Sequence, residues 1–393
     1  MGCEIILQIF SGGFSGEAAS YEAVEKKLLS VLPLLPVRKV IMGWAPGKAL
    51  YEKTAEFLAK RNIDFFLWFP VFSETGALKR LSPLVDLQGL PLESAPSHGA
   101  EDFSFCCPNN PFNIESILDI FEREFSSIPF TGVFLDKIRY PSFAQGYDPG
   151  IARGQRGVFS CFCPHCLEKY KAENFDPRHL ESAISRPASS PLGITGYLGN
   201  GEYTYEESDI SRFFSLKAGF ISGSLRRICA FFRERGLKIG FDVFAPFLSP
   251  FTGQNLPFLS SLCDFIKPMM YRITHAPAGL PFETEALLRE TGCKEAAKQR
   301  LFYKILGFDP ETKEFDLAFT GKELRGMASS SACPVYAGVE INRKKGLAEV
   351  YPSYIEETLI SYAQTGIRGF VLSWDLLSMP EENLVRAGEL FGM

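Results

Sequence analysis

Along the chain, short blocks dense in Val, Ile and Phe alternate with stretches whose apolar positions recur at three- and four-residue spacing. The blocks fall at Ile5–Phe10, Lys39–Trp44, Phe65–Phe69, Gly132–Asp136, Lys238–Phe244, Phe265–Tyr271, Val335–Ile341 and Gly369–Trp374. Several are apolar almost throughout, the mark of strands buried on both faces, as in a parallel sheet.

The stretches between them read as helices. They run from Ser20–Tyr21 to Leu32, over Lys48–Arg61, and over Asn113–Phe125, where Ile114, Ile117, Leu118, Ile120 and Phe121 share one face. The longest begins near Ser208–Asp209 and stops at Arg235, before the capping glycine Gly236. Others fall near Thr284–Glu290, Gly321–Ser329, Ser353–Thr365 and Glu381–Phe391. Eight strands alternating with about eight helices predict an α/β fold of the (β/α)8 TIM-barrel type. A doubly wound open sheet is the alternative. It lacks support, because no GxGxxG follows the first strand and Ser11-Gly12-Gly13 lacks the Lys-Ser/Thr of a phosphate loop.

Two connections exceed ordinary loop length: Ser73–Asn110 after strand three and Tyr140–Glu207 after strand four. Both follow strands, so both belong to the face where barrel active sites are built. The Pro/Ser/Gly-rich run Ser185–Gly201 within the second reads as mobile or solvent-facing. One barrel over residues 1–393, with 140–207 as an insertion in it, accounts for the length.

Composition narrows the function classes. The balance of 41 basic against 46 acidic residues gives −5, which offers no electrostatic lure for nucleic acid or an anionic membrane. The opening run MGCEIILQIF reads as a strand, not a signal peptide, and no apolar run is long enough to span a bilayer. A cytoplasmic protein follows as the expectation. The 36 Phe speak for a bulky core, and oligomeric state is not specified. In a reducing compartment, clustered members of the ten cysteines point to metal or catalysis, not to disulfides.

The cluster is Cys161-Phe162-Cys163-Pro164-His165-Cys166, with Cys106-Cys107-Pro108 in the preceding long loop. Three thiolates close in sequence and one from a neighbouring loop make a tetrahedral set suited to a structural zinc ion. The spacing leaves Cys106 and Cys107 as alternatives for the fourth ligand. Cys107-Pro108-Asn109-Asn110-Pro111 followed by the C-F-C-P-H-C run resembles the cysteine cluster of family 42 β-galactosidases, (β/α)8 glycoside hydrolases with a structural zinc beside the active site. That resemblance covers the two loops and implies Cys107, Cys161, Cys163 and Cys166 as ligands. It departs from the family at strand four. An Asn-Glu pair is expected there, whereas this chain has Leu135-Asp136-Lys137-Ile138-Arg139-Tyr140-Pro141, similar to the F-D-Y-I-R-Y-P-type motif of uncharacterised glycoside-hydrolase-like barrels.

Strand ends supply the candidate chemistry. Asp136, Asp242, Glu340 and Asp375 stand at or near the C-terminal ends of strands four, five, seven and eight. A glycosidase needs two carboxyl groups flanking the scissile bond, with acidities pushed apart by their surroundings. Resemblance to glycosidase barrels favours strands four and seven, so Asp136 is expected as nucleophile or stabilising carboxylate and Glu340 as acid/base, the two roles being exchangeable. Asp242 and Asp375 are expected to contact substrate, or to act as salt-bridge and cap residues.

The chain's three tryptophans, Trp44, Trp68 and Trp374, all fall at strand ends, where indole faces stack on sugar rings. Tyr140, Tyr271 and His275 add hydrogen-bonding capacity. Lys137, Arg139, Lys267 and Arg272 suggest an anionic sugar, although ion pairing with the carboxylates would produce the same set. The expected function is cleavage of an O-glycosidic bond in a carbohydrate substrate. The alternatives are a catalytically silent carbohydrate-binding barrel and, with four histidines and no His-x-His after strand one, a weakly supported metal-dependent hydrolase.

Overall fold

The computed structural model describes residues 2–12, 18–45, 47–73, 81–91, 105–144, 160–180, 188–309 and 315–392. Eight parallel strands close into a barrel: Glu4–Phe10, Val37–Gly43, Asp64–Pro70, Gly132–Asp136, Lys238–Phe244, Phe265–Met269, Tyr336–Glu340 and Gly369–Ser373, here strands one to eight. Strand one pairs with strand eight through Glu4 opposite Gly369 and Leu7 opposite Leu372, which completes the ring.

Period-two alternation divides each strand between two cores. Ile6, Ile41, Phe66, Phe134, Phe265, Tyr336 and Val371 fill the barrel interior, while the intervening residues pack outward on the helices. Phe134 and Phe265 stack with ring centroids 5.7 Å apart. Missing side chains make room for large ones: a Cβ on Gly240 would lie 2.3 Å from the Phe265 ring, and one on Gly338 would lie 2.5 Å from Lys267 Cε.

The helices begin where capping chemistry places them. Ser20 accepts the Ala23 N–H ahead of Tyr21–Val31, and Asn110 caps Pro111–Glu124 with proline in the first turn. The long helix Ser208–Glu234 ends before Gly236, whose φ is +72°. Pro164–Ala172 and Ala296–Leu306 are helices that the sequence reading passed over. The second closes on Gly307 at φ +76°, a C-cap signal visible in the sequence.

The run expected to be mobile or solvent-facing buries 191–194 and leaves 195–201 partly or fully exposed, its first residues, 185–187, lying outside the described residues. Ile194–Gly199 and Glu202–Tyr205 pair as an antiparallel hairpin. Asn200-Gly201, with φ of 51° and 81°, forms its turn, the chemistry that Asn-Gly supplies. Tyr197 locks the hairpin to the body through a 2.6 Å hydrogen bond from its hydroxyl to Glu323 Oε2. Among the described residues, no helix is long and apolar enough to cross a membrane.

Candidate functional site

At the C-terminal ends of the strands a cleft of roughly 800 Å³ opens. Trp44, Trp68 and Trp374 lie on its walls with Asp136, Lys137, Arg139, Asp242, Tyr271 and Asp375. The structure therefore gathers most of the expected residues at one place.

Strand four ends in Asp136, whose two oxygens are both held. Trp68 Nε1 donates to Oδ2 at 3.1 Å, and the backbone N–H of Lys137 donates to Oδ1. Lys137 itself adopts φ +52°, a left-handed conformation that is unusual for a residue with a side chain. Trp68 is itself packed edge-on against Trp44, centroids 4.9 Å apart, and against Phe10 at 5.5 Å. Lys137 Nζ reaches over the Trp44 ring at 5.9 Å, and Arg139 lies over Phe244 at 4.5 Å while donating to the Tyr140 carbonyl.

Strand five contributes Asp242 to the same cleft, buried at 3% exposure. Its Oδ2 accepts from Lys267 Nζ at 3.0 Å. Burial pushes its carboxyl up to about 7, with the Lys267 ammonium opposing and the charge of Asp136 adding to the rise. For Lys267, burial alone would disfavour the ammonium. Asp242 and Tyr271 outweigh it and hold the pKa above the usual lysine value. Lys267 is therefore a charged hub whose ammonium is taken up by Asp242, Tyr271 Oη and Gln8 Oε1, not an open substrate contact.

Four more of the expected residues lie off the cleft lining. Glu340 is fully buried and does not line the cleft: its Oε1 accepts the Ile273 N–H at 2.9 Å, and it faces Arg272 and Tyr354 in the layer between barrel and helices. Burial pushes its carboxyl to about 7 as well. Tyr140 also leaves the cleft. Its N–H is tied to the Thr252 carbonyl, and its ring lies 5.2 Å from the buried Lys217 ammonium, near the cysteine group. Arg272 binds the Phe315 carbonyl, Glu357 and Thr358, so it too is structural. His275 is exposed and lies off the cleft wall.

Asp375 lines the cleft, but both of its oxygens are used locally. Oδ1 accepts the Phe10 N–H and Oδ2 the Ser378 hydroxyl, each at 3.0 Å, as a turn cap does. Asn342, which the sequence reading did not single out, fixes this turn. Its Oδ1 accepts the Trp374 and Asp375 N–H groups and its Nδ2 donates to the Asp375 carbonyl. Peptide bonds preceding Trp44 and Trp374 are cis.

Outside the cleft lining, Cys107, Cys161, Cys163 and Cys166 come together, all buried, with their sulfurs within 4.8 Å of one another. Cys107 Sγ lies 3.5 Å from those of Cys163 and Cys166. Zn–S bonds of about 2.3 Å in a tetrahedron place sulfurs about 3.8 Å apart, so the group fits a four-thiolate metal ion. Two N–H donors point at these sulfurs: Asn109 Nδ2 at 3.2 Å from Cys166 and Val85 N at 3.4 Å from Cys161. Such outer donors stabilise thiolate charge. Cys106, equally buried, is not part of the group. The site joins the loop after strand three to that after strand four, where Phe162 N also bonds the Val85 carbonyl.

No protein-family model matches the sequence, and no curated protein matches it. Among solved structures, the chain is similar to the PgaB (BpsB) glycoside hydrolase domain from Bordetella bronchiseptica, at 12% identity and a TM-score of 0.55 over 98% of each chain. It is similar to the catalytic domain of a β-amylase from Paenibacillus polymyxa, at 11% identity and a TM-score of 0.54, over 99% of this chain and 96% of that one. It also resembles an α-L-fucosidase isoenzyme from Paenibacillus thiaminolyticus, at 12% identity and a TM-score of 0.53, over 100% of this chain and 49% of the other. The likeness extends to the fold, a closed barrel of eight parallel strands.

Proposed function

We propose that this protein cleaves an O-glycosidic bond in a carbohydrate bound between the tryptophans of the cleft, and that Asp136 and Asp242 are its carboxyl pair. The observation that carries the reading is the meeting of these two aspartates, from adjacent strands, in one tryptophan-walled cleft. Asp242, with its carboxyl near 7, is suited to be the acid. Its Oδ2 faces an ammonium, which cannot accept a proton, so the proton resides on Oδ1. Donation of that proton to the leaving oxygen creates a carboxylate that Lys267 stabilises. Asp136, accepting two N–H bonds, presents carboxylate oxygens to the positive charge that develops at the sugar carbon as the glycosidic C–O bond breaks. Water then adds to that carbon and its proton returns to the Asp242 carboxylate.

Zinc in the four-cysteine group would clamp the two long loops together, with all four positions filled by sulfur and none open for catalysis. Ten unbridged cysteines suit a reducing, cytoplasmic setting.

The test is turnover of a panel of 4-nitrophenyl and methyl glycosides by wild type, Asp136→Asn, Asp242→Asn and Glu340→Gln. A roughly thousandfold loss in Asp136→Asn, and a loss in Asp242→Asn that is greater for methyl than for nitrophenyl leaving groups, is expected. Glu340→Gln should stay within a few-fold of wild type. The second reading, a silent carbohydrate-binding barrel, draws on the Lys267–Asp242 ion pair, which occupies one oxygen of the acid. Saccharide binding without turnover would favour it.

A further inference from the structure

Lys267 is buried behind the cleft-lining residues Gln8, Asp242 and Tyr271, and its ammonium offers three N–H donors and no acceptor. All three find partners: Asp242 Oδ2 at 3.0 Å, Tyr271 Oη at 2.7 Å and Gln8 Oε1 at 3.4 Å. Ser373 Oγ donates to the same oxygen of Gln8. These contacts fix which way the Gln8 amide points, because a flip would set its NH2 group against an ammonium that cannot accept.

Gln8 Nε2 consequently faces away from Lys267. The residue is 1% exposed and lines the cleft, and Nε2 has no hydrogen-bond partner among the described residues. Asp242 Oδ1 is in the same position, buried on the cleft wall and unpartnered. Buried donors and acceptors are nearly always matched, so an unmatched pair on two adjoining cleft-lining residues marks where a ligand supplies the match. Both groups are oriented by one ammonium, which makes them a single recognition unit.

We propose that Gln8 is a specificity-determining residue: its Nε2 donates a hydrogen bond to an oxygen of the sugar seated against Asp242. Lys267 is the positioning residue that turns the amide toward the ligand. The inference rests on the saccharide reading above and adds the polarity of the contact: the sugar must carry an accepting oxygen at that position, either a ring hydroxyl or the carbonyl of an acylated amine.

Binding is measured by quenching of tryptophan fluorescence, and turnover by product release. The probes are methyl and 4-nitrophenyl glycosides of glucose, galactose, N-acetylglucosamine and glucuronate, with their monodeoxy and de-N-acetylated analogues. Gln8→Met should weaken both binding and kcat/KM about tenfold on the preferred sugar. On one deoxy analogue, or on the free amine if the acceptor is acyl, wild type and variant should become equal. If Gln8→Met does not fold, Gln8→Glu carries the test, because it keeps oxygen toward Lys267 and Ser373 while removing the donor. Equal binding by wild type and both variants, or the same loss on every analogue, overturns the proposal. Binding with a Gln8 effect but no turnover overturns the hydrolase reading alone. Turnover that neither variant alters overturns the role of Gln8 alone, and failure to bind any panel sugar overturns both.

Discussion

Lys267 Nζ lies 3.0 Å from Asp242 Oδ2, and the two side chains are 1% and 3% exposed. A buried carboxyl beside a buried ammonium is balanced between desolvation, which favours its neutral form, and attraction, which favours its charged form. Here desolvation prevails and leaves Asp242 near 7. Turnover that needs the protonated acid should therefore fall as pH rises through about 7. Replacing Lys267 with Met removes an influence that lowers the Asp242 pKa, so the alkaline limb should move to higher pH. A pH profile of kcat/KM for both proteins checks this; a limb that stays in place contradicts the assignment.

Trp68 stands between packing and chemistry, since the indole that holds Asp136 at 3.1 Å also braces Trp44. Trp68→Phe keeps most of the ring but loses the N–H. We expect kcat to fall by roughly tenfold, the scale of one hydrogen bond to a charged group, with a smaller change in KM. An effect confined to KM would make Trp68 only a sugar platform.

Glu340 tests stability instead of turnover. Its folded pKa, about 7 against an ordinary 4.5, is raised, so its contribution is fully present below the unfolded value and is lost as pH rises through the folded one. That loss amounts to something on the order of 3 kcal/mol. Glu340→Gln removes the titration, so the difference in Tm between variant and wild type should be several degrees more favourable at pH 8 than at pH 5. Parallel Tm curves across that window would contradict the buried-acid account.

Elemental analysis should find about one zinc per chain, retained in Cys106→Ser and lost in Cys107→Ser. A strong chelator should lower Tm, with turnover declining only as folded protein is lost. Abolition of turnover at unchanged Tm would move the metal from clamp to catalyst.

The barrel was legible because its strands are buried on both faces and so read as continuous apolar blocks, and the cysteine group because its ligands are adjacent in sequence. Glu340 was misplaced for a specific reason. Period two puts it on the interior row with Tyr336 and Gly338, but the Ile273 N–H captures its carboxylate at the strand end. No local pattern announces such a long-range partner. The hairpin was missed differently: Asn200-Gly201 is a strong turn signal that the Pro/Ser/Gly composition around it obscured. Gln8 lay within an apolar strand and could be singled out only once the partners of its oxygen were known.

The small residue at position 338 sets a constraint on how this chain can drift. Lys267 occupies the volume that any larger side chain there would need, and its charge is tolerable only while Asp242 faces it. Gly338, Lys267 and Asp242 come from three different strands, yet no one of them can be exchanged without penalty unless the others change with it. Descendants of this sequence should therefore keep all three or replace them together, so that their joint presence in a distant barrel would be a sharper sign of kinship than overall identity.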